Sequence, residues 1–326
     1  MPDDLRKGTA QARESSAADP HSQMRIRAAW LYHIQGMTQA EIAGKLGVNR
    51  IMITRLLAEA RKRGEVVIRI KSEMAPLAAL QTGLEDRFGL ERAIVAPNHD
   101  PVSDPTRLIA AAAGAYVSGL MDHNMTIGVG WGRTLHMMLP HIEGRKLDGV
   151  RVVSLLGGIS QARRFNPAEF AWQFAEQFDA EGFLIPAPAL VDSAQTRYAL
   201  LERCGLEQVF QMAESCDVAL LSCGGISTLT TSYRFGHVTE AERRSMIEAG
   251  VVGDVLYTFL DAQGRIVDHQ VNERSVSVGF AKLSRIKTRV LISGGPEKTG
   301  ILRASMKTLQ PHVLVTDEQT ASLLLA

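Results

Sequence analysis

Cysteine is scarce in this chain: Cys204, Cys216 and Cys223 are the only three in 326 residues. An odd number at spacings that match no zinc motif excludes a disulfide framework and a cysteine metal site, and the thiols read as reduced. No apolar run approaches the ~18 residues a membrane helix needs, and no signal-peptide core stands near the start, so a cytoplasmic protein without membrane contact is expected. The nine histidines are scattered without metal spacing. Neither a G-x-S-x-G elbow nor a P-loop is present, and "GVGWG" at Gly128–Gly132 fails the dinucleotide-binding spacing. His237, in "FGHVTE", reads as an exposed loop histidine ahead of a helix cap at Thr239. No carboxylate–histidine set for acid–base chemistry stands out. The expectation is therefore no catalytic residue, no metal and no cofactor.

What is present is a divided charge. The net charge is only +1, but residues 24–71 hold ten Lys/Arg against three Asp/Glu, a balance of +7 that leaves −6 for the rest. A basic head on an acidic body suggests that the head alone meets a polyanion; the plainer alternative is a solvated helical surface. With 45% hydrophobic and 22% charged residues, the chain can bury a real core and has length for two or three domains.

Residues 1–22 are polar and aperiodic and read as a disordered tail. Residues 23–72 form the head, and 73–326 a second domain. In the head, "MTQAEIAGKLGVNRIMITRLLAEARKRG" (Met37–Gly64) predicts two helices around a tight turn. Thr38 and Glu41 make a capping box, Met37 and Ile42 a hydrophobic staple. Gly47 ends the first helix and Asn49 caps the second. The second helix buries Ile53, Leu56, Leu57 and Ala60 at helical spacing. An upstream helix with Ile26, Ala29, Trp30 and Ile34 is expected to supply the third wall, and "EVVIRI" (Glu65–Ile70) is β-rich. This is a helix-turn-helix whose second helix can enter the major groove of double-stranded operator DNA. Thr38, Gln39, Asn49, Arg50, Thr54 and Arg55 are the candidate DNA-binding residues, able to reach base edges or phosphates. An ordinary three-helix bundle is the alternative.

After a joint at residues 72–75 and a helix opened by Pro76, short continuous β-runs alternate with helices to the end of the chain. That pattern means an α/β domain with mainly parallel strands buried on both faces. "YTFLDAQGRIVDHQ" looks like a hairpin set into it. Several β-runs end in glycine: Gly128, Gly130 and Gly132, followed by Arg133 and Thr134; Gly157 and Gly158; Gly224 and Gly225; Gly294 and Gly295, followed by Lys298. Ligands bind at the carboxyl ends of parallel strands, where glycine permits close backbone approach and helix starts attract anions. Four such loops suggest one shared pocket. Asp254 could accept sugar hydroxyls, and Lys298, near a helix start, could meet an anion.

The head, "LEDRFGLERAIV", "GVGWGRTL", "VVSLLGG", "GVVGDVLYTFLDAQGRIV" and "ISGGPEKTGILRASMKTLQPHVLVTDEQTASLLL" together resemble the SorC/DeoR-type sugar-binding transcriptional regulators, over nearly all of residues 24–326. The head looks closest to regulators of polyol catabolism, such as the erythritol regulator. The resemblance implies a winged helix-turn-helix joined to an effector domain related in fold to sugar-phosphate isomerases and deaminases. It also implies homo-oligomers, commonly tetramers, and a sugar, polyol or sugar-phosphate effector. Carried onto this sequence, the effector-binding positions are Gly130, Arg133, Thr134, Gly157, Gly158, Asp254 and Lys298, with Gln173 and the stretch around Arg163 as further candidates. "LSCGGIST" departs from the family's commoner form of that strand end. A regulator of a carbohydrate or polyol operon is the leading reading; a sugar-phosphate isomerase or deaminase with an added head is the rival.

Overall fold

The chain divides into two compact units, Met1–Ser72 and Glu73–Ala326. The computed structural model describes residues 19–66, 75–98, 103–159, 166–227 and 238–326. The wing expected beyond Val66, most of the joint at 72–75, Arg163 and His237 lie outside the described residues.

The head is three helices, α1 (Pro20–His33), α2 (Gln39–Leu46) and α3 (Arg50–Lys62). Asp19 caps α1 and Pro20 occupies its first position, so residues 20–22, assigned to the tail on polar composition, are helical. Aspartate followed by proline is itself a helix-start signal. The capping box of α2 is formed: the Glu41 amide donates to Thr38 Oγ1 (3.3 Å) and the Thr38 amide to the Glu41 carboxylate (2.7 Å). Gly47 then takes φ +67°, a left-handed stop that a side chain disfavours. Asn49 Oδ1 accepts the Met52 amide at 2.8 Å, opening α3.

Ile42, Ala43, Ile53, Leu56, Leu57 and Ala60 pack with Ala28, Ala29 and Leu31 to form the head's core. Of the four α1 residues expected inside, only Ala29 is buried; Ile26, Trp30 and Ile34 are exposed. The helix is turned by Arg25, which is almost fully buried. Its guanidinium donates to both Glu65 oxygens at 2.6 Å and to Glu59 at 3.1 Å, the pairing a buried cation requires. With Arg25 facing in, the neighbouring small residues Ala28 and Ala29 follow, and the bulky apolar ones are left outside.

This contact has a pH signature. The hydrogen bond from Arg25 holds the Glu65 carboxyl below its ordinary range, against partial desolvation. A carboxyl lowered in the folded state stabilises above its unfolded value, about 4.3, and that gain is lost as pH falls through the folded value. Glu65→Gln should therefore lower the melting temperature of the head at pH 7, with the difference from the parent shrinking in acid. Circular dichroism melts of the full chain across pH 2–7 measure this. A deficit that stays constant into acid would contradict the assignment.

The body carries α4 (Ala75–Phe88), α5 (Thr106–Leu120), α6 (Arg133–Met138), α7 (Pro167–Glu176), α8 (Ala194–Arg203), α9 (Glu207–Glu214), α10 (Glu240–Glu248), α11 (Gln270–Glu273), α12 (Phe280–Leu283), α13 (Thr299–Leu309) and α14 (Glu318–Leu325). Its strands are β1 (Arg92–Ala96), β2 (Thr126–Val129), β3 (Arg151–Ser154), β4 (Glu181–Phe183), β5 (Val218–Leu221), β6 (Gly224–Gly225), β7 (Val251–Val255), β8 (Thr258–Asp261), β9 (Thr288–Ile292) and β10 (Val313–Asp317). Seven strands form one parallel sheet in the order β1-β10-β9-β5-β2-β3-β4. Along β5, Val218 and Leu220 join the apolar cluster on one face and Ala219 and Leu221 the cluster on the other. That explains the continuous β-runs: both faces are covered. Between β4 and β5 the chain forms two helices, α8 and α9, separated where Gly205 adopts φ +73°.

A smaller antiparallel sheet, β6-β7-β8, stands beside the main one. The Asp-Ala-Gln-Gly turn exists, with the Gly264 amide bonded to Asp261 O at 3.0 Å. The tighter hairpin before it was not expected. Leu256 and Tyr257, both buried, join β7 to β8 with φ +53° and +57°. Two-residue hairpins of this kind normally take Asn-Gly or Asp-Gly, because side chains disfavour positive φ.

Candidate functional site

The chain leaves β2 toward β3 on one side, whereas after β5 it continues to β9 on the other, and β2 and β5 are neighbours. Their carboxyl ends define a topological switch point, where ligands of open α/β sheets bind. Four segments converge there: the loop after β2 (Gly130–Thr134), the loop after β5 (Ser222–Gly225), Asp254 on β7, and the loop after β9 (Ser293–Lys298).

The Gly130 amide is bonded to Leu220 O at 2.8 Å, stitching the first loop to β5. Gly132 then caps α6, and Thr134 in its first turn is buried. First-turn amides of a helix have no intrahelical acceptor and remain available. Trp131 stacks on Tyr257, with ring centroids 5.0 Å apart and planes at 19°. The Leu256–Tyr257 turn thus packs a stacked aromatic pair into the core beside the strand ends, and backbone strain of this kind clusters at functional sites.

Asp254 pairs across the small sheet with Gly224, and a Cβ at Gly224 would lie 2.8 Å from its Oδ1. Glycine at 224 therefore makes room for this carboxylate. Asp254 Oδ2 accepts the Tyr257 amide at 2.9 Å, which also holds the strained turn. Burial pushes the Asp254 carboxyl up to about 7, opposed by that hydrogen bond and by the positive charge of Lys298. Lys298 ends the turn Pro296–Lys298 and occupies the N-cap position of α13, with no capping bond from its side chain. Cys223 lies within the same field, and burial pushes its thiol up to about 11, so it is neutral.

Behind the last loop stands a support that the sequence did not reveal. Asp317, fully buried at the end of β10, accepts the Gly295 amide at 3.0 Å and the Thr320 hydroxyl at 2.5 Å. Thr320 Oγ1 also accepts the Gly295 amide at 2.8 Å. These bonds fix the backbone that leads to Lys298.

Not every expected residue joins the site. The Arg133 guanidinium is tied to Asp104 and to Thr106 Oγ1. The Gly157 amide is spent on Val276 O (3.0 Å) and the Gly158 amide on Ala187 O (2.8 Å). A Cβ at Gly157 would lie 2.6 Å from Ala187 O, so this glycine admits a crossing chain. Both amides are committed to the protein's own backbone, as the Gly130 amide is. Gln173 is held by Glu169 within α7. A separate cavity of about 300 Å³, lined in part by Arg197, Phe210, Ser277 and Lys282, contains none of the expected residues. Among the described residues no group of side chains could hold a metal ion.

In the head, Arg50, Thr54 and Arg55 are exposed on α3. Thr54 Oγ1 donates to Gln39 Oε1 at 2.9 Å, joining α2 to α3. Thr38 and Asn49 are occupied as caps, so their part in any DNA contact falls to backbone groups and the free Asn49 amide nitrogen. The acids of the head are satisfied internally, Glu41 by Thr38 and Glu59 and Glu65 by Arg25, which leaves an outward surface of cations.

A basic three-helix head and a parallel α/β body with a strand-end site are the parts of a ligand-responsive regulator. The chain belongs to the Sugar-bind family of sugar-binding domains, whose model matches residues 72–326. Its relatives are transcriptional regulators. It is 31% identical over 322 residues to the transcriptional regulator LsrR of Enterobacter sp. (strain 638), covering 97% of each chain. It is 29% identical to the erythritol catabolism regulatory protein EryD of Brucella abortus (strain 2308), over 94% of this chain and 98% of that one. The full-length sorbitol operon regulator SorC from Klebsiella pneumoniae has the same fold, with a TM-score of 0.72 at 28% identity, over 93% of this chain and 99% of that one. Among the described residues no helix is long and apolar enough to cross a membrane.

Proposed function

We propose that this regulator controls a carbohydrate or polyol catabolic operon. Its head binds operator DNA through Arg50, Arg55 and their neighbours, and its body binds a sugar, polyol or sugar phosphate at the β2/β5 switch point. The observation that carries the reading is the buried Asp254 carboxyl at the strand ends, within the field of the Lys298 cation. A carboxylate accepts hydroxyls, and a cation beside helix-start amides suits phosphate. The reading places the protein in the cytoplasm, with its DNA, as a homo-oligomer, most simply a tetramer of two dimers.

A thermal-shift screen against sugars, polyols and sugar phosphates tests it. A ligand bound only by the folded state at a hundred times its Kd stabilises by about 2.7 kcal/mol. A hit whose shift disappears in Asp254→Ala supports the site; a hit indifferent to Asp254 and Lys298 would move it elsewhere.

The rival enzyme reading predicts turnover. A carboxyl without a partnered base does not make an isomerase. Purified protein is expected to leave glucosamine 6-phosphate and ribose 5-phosphate unchanged. Conversion that disappears on mutating Asp254 would overturn this.

A further inference from the structure

Three side chains of α1 and its C-cap residue are large, apolar and in water. Ile26, Trp30 and Ile34 are 47%, 57% and 64% exposed. They lie four residues apart and so form one stripe along the helix, opposite the face built from Arg25, Ala28 and Ala29. Single exposed apolar residues need no explanation, but a continuous stripe does. This stripe also reads the same in both directions: isoleucine, one turn to tryptophan, one turn to isoleucine.

We propose that this stripe is a contact between the heads of two copies of this chain, with two α1 helices lying antiparallel across a two-fold axis at Trp30. The axis places Ile26 of one copy against Ile34 of the other, twice, and brings the two Trp30 rings together. A two-fold interface uses the same patch on both subunits, so the patch must be its own complement. A palindromic stripe meets that condition, and a partner of unrelated sequence would make no use of it. Size sets the setting. The three side chains expose on the order of 300 Å² per head, and two such patches fall well short of the ~1,200 Å² that a free-standing specific complex buries. The contact therefore forms between heads already held near one another, where effective concentrations reach the millimolar range. It rests on the proposed regulator reading in one respect: that the heads act in pairs.

Cross-linking of the full chain tests it without DNA, and so independently of that reading. Cys204 is the exposed thiol and Cys216 and Cys223 are buried, so a Cys204→Ser background is silent toward a short bis-maleimide. Adding Ile26→Cys and Ile34→Cys together should give a covalent dimer as the main product. Each substitution alone should give less than a tenth of that yield, because the axis joins unlike positions. Ile51→Cys, 66% exposed on α3, is the control for random collision and should remain monomeric. Equal dimer from single and double variants, or no dimer from the double, would overturn the proposal. A second arm uses Trp30→Glu, at an exposed position that leaves the core intact. On a duplex enriched by the parent protein from a random-sequence pool, binding should weaken at least tenfold while the mass by light scattering is unchanged. Parental binding by Trp30→Glu would equally overturn it.

Discussion

A chain lacking residues 1–66 is expected to keep a folded body and to lose duplex binding altogether. Full-length Arg55→Ala is expected to lose affinity by on the order of 1–3 kcal/mol, with relaxed sequence preference, if Arg55 reads a base edge. Arg50 and Arg55 are exposed on the outer face of α3, whereas the head's carboxylates are engaged internally, so the cations meet no competing acid of their own helix surface. Arg61 and Lys62, in the last turn of α3, have a different expected role. Alanine at Lys62 should weaken all duplexes alike and reduce the salt dependence by about one phosphate contact. The measurement is fluorescence anisotropy on a selected duplex and a scrambled control at several salt concentrations. Sequence-specific binding by the truncated body would remove the head from the account.

Asp254→Asn should produce two effects of opposite kind. The first is on stability. In the unfolded chain an aspartate titrates near 3.9, whereas here burial moves it to about 7. Between those values the folded state holds the extra proton, so stability falls as pH rises through the window and levels off above 7. A shift of about three units corresponds to roughly 4 kcal/mol at most. Asparagine has no charge to bury and its Oδ1 can still accept the Tyr257 amide, so the variant should melt higher than the parent at pH 8 and similarly at pH 4. The second effect is on function. The ligand found by thermal shift should bind at least tenfold more weakly to Asp254→Asn at pH 8, where the parent offers a carboxylate, while ligand-free DNA binding is unaffected. Lys298→Ala separates ligand classes, reducing affinity strongly for a phosphorylated compound and slightly for a neutral polyol. A melting temperature that is no higher than the parent's at pH 8, together with unchanged ligand affinity, would show that this carboxyl is neither strained by burial nor used.

Much of this was legible in the sequence because local chemistry decides it. The Thr38–Glu41 box, the Gly47 stop and the Asn49 cap are each made by neighbours in sequence, and all three form as their residue types require. The α/β alternation was legible for a similar reason, since strands buried on both faces leave no polar residues to interrupt the apolar run. What failed depends on distant partners. The orientation of α1 is set by Arg25 meeting Glu59 and Glu65, residues 34 and 40 positions away, so apolar spacing alone chose the wrong face. A Gly-Gly pair after a strand looks the same whether it admits a ligand or, as at Gly157, the chain at Ala187. The Leu256–Tyr257 turn contains no turn-forming residue type; it is held by Asp254 and by packing. Trp131 was visible only as a residue between glycines until Tyr257 was placed against it.

A ligand at the strand-end site and DNA at the head are expected to be coupled through one protein. Coupling of binding equilibria is reciprocal: the factor by which the ligand changes DNA affinity must equal the factor by which DNA changes ligand affinity. Such factors typically run from about 5 to 150. The direct measurement is calorimetric titration of the strongest thermal-shift compound into the full chain, alone and saturated with the selected duplex, beside anisotropy titrations of the duplex with and without the compound. The two ratios are expected to agree, and both to fall to one in Asp254→Ala. A compound that binds at Asp254 with the same Kd whether or not the duplex is present would contradict it.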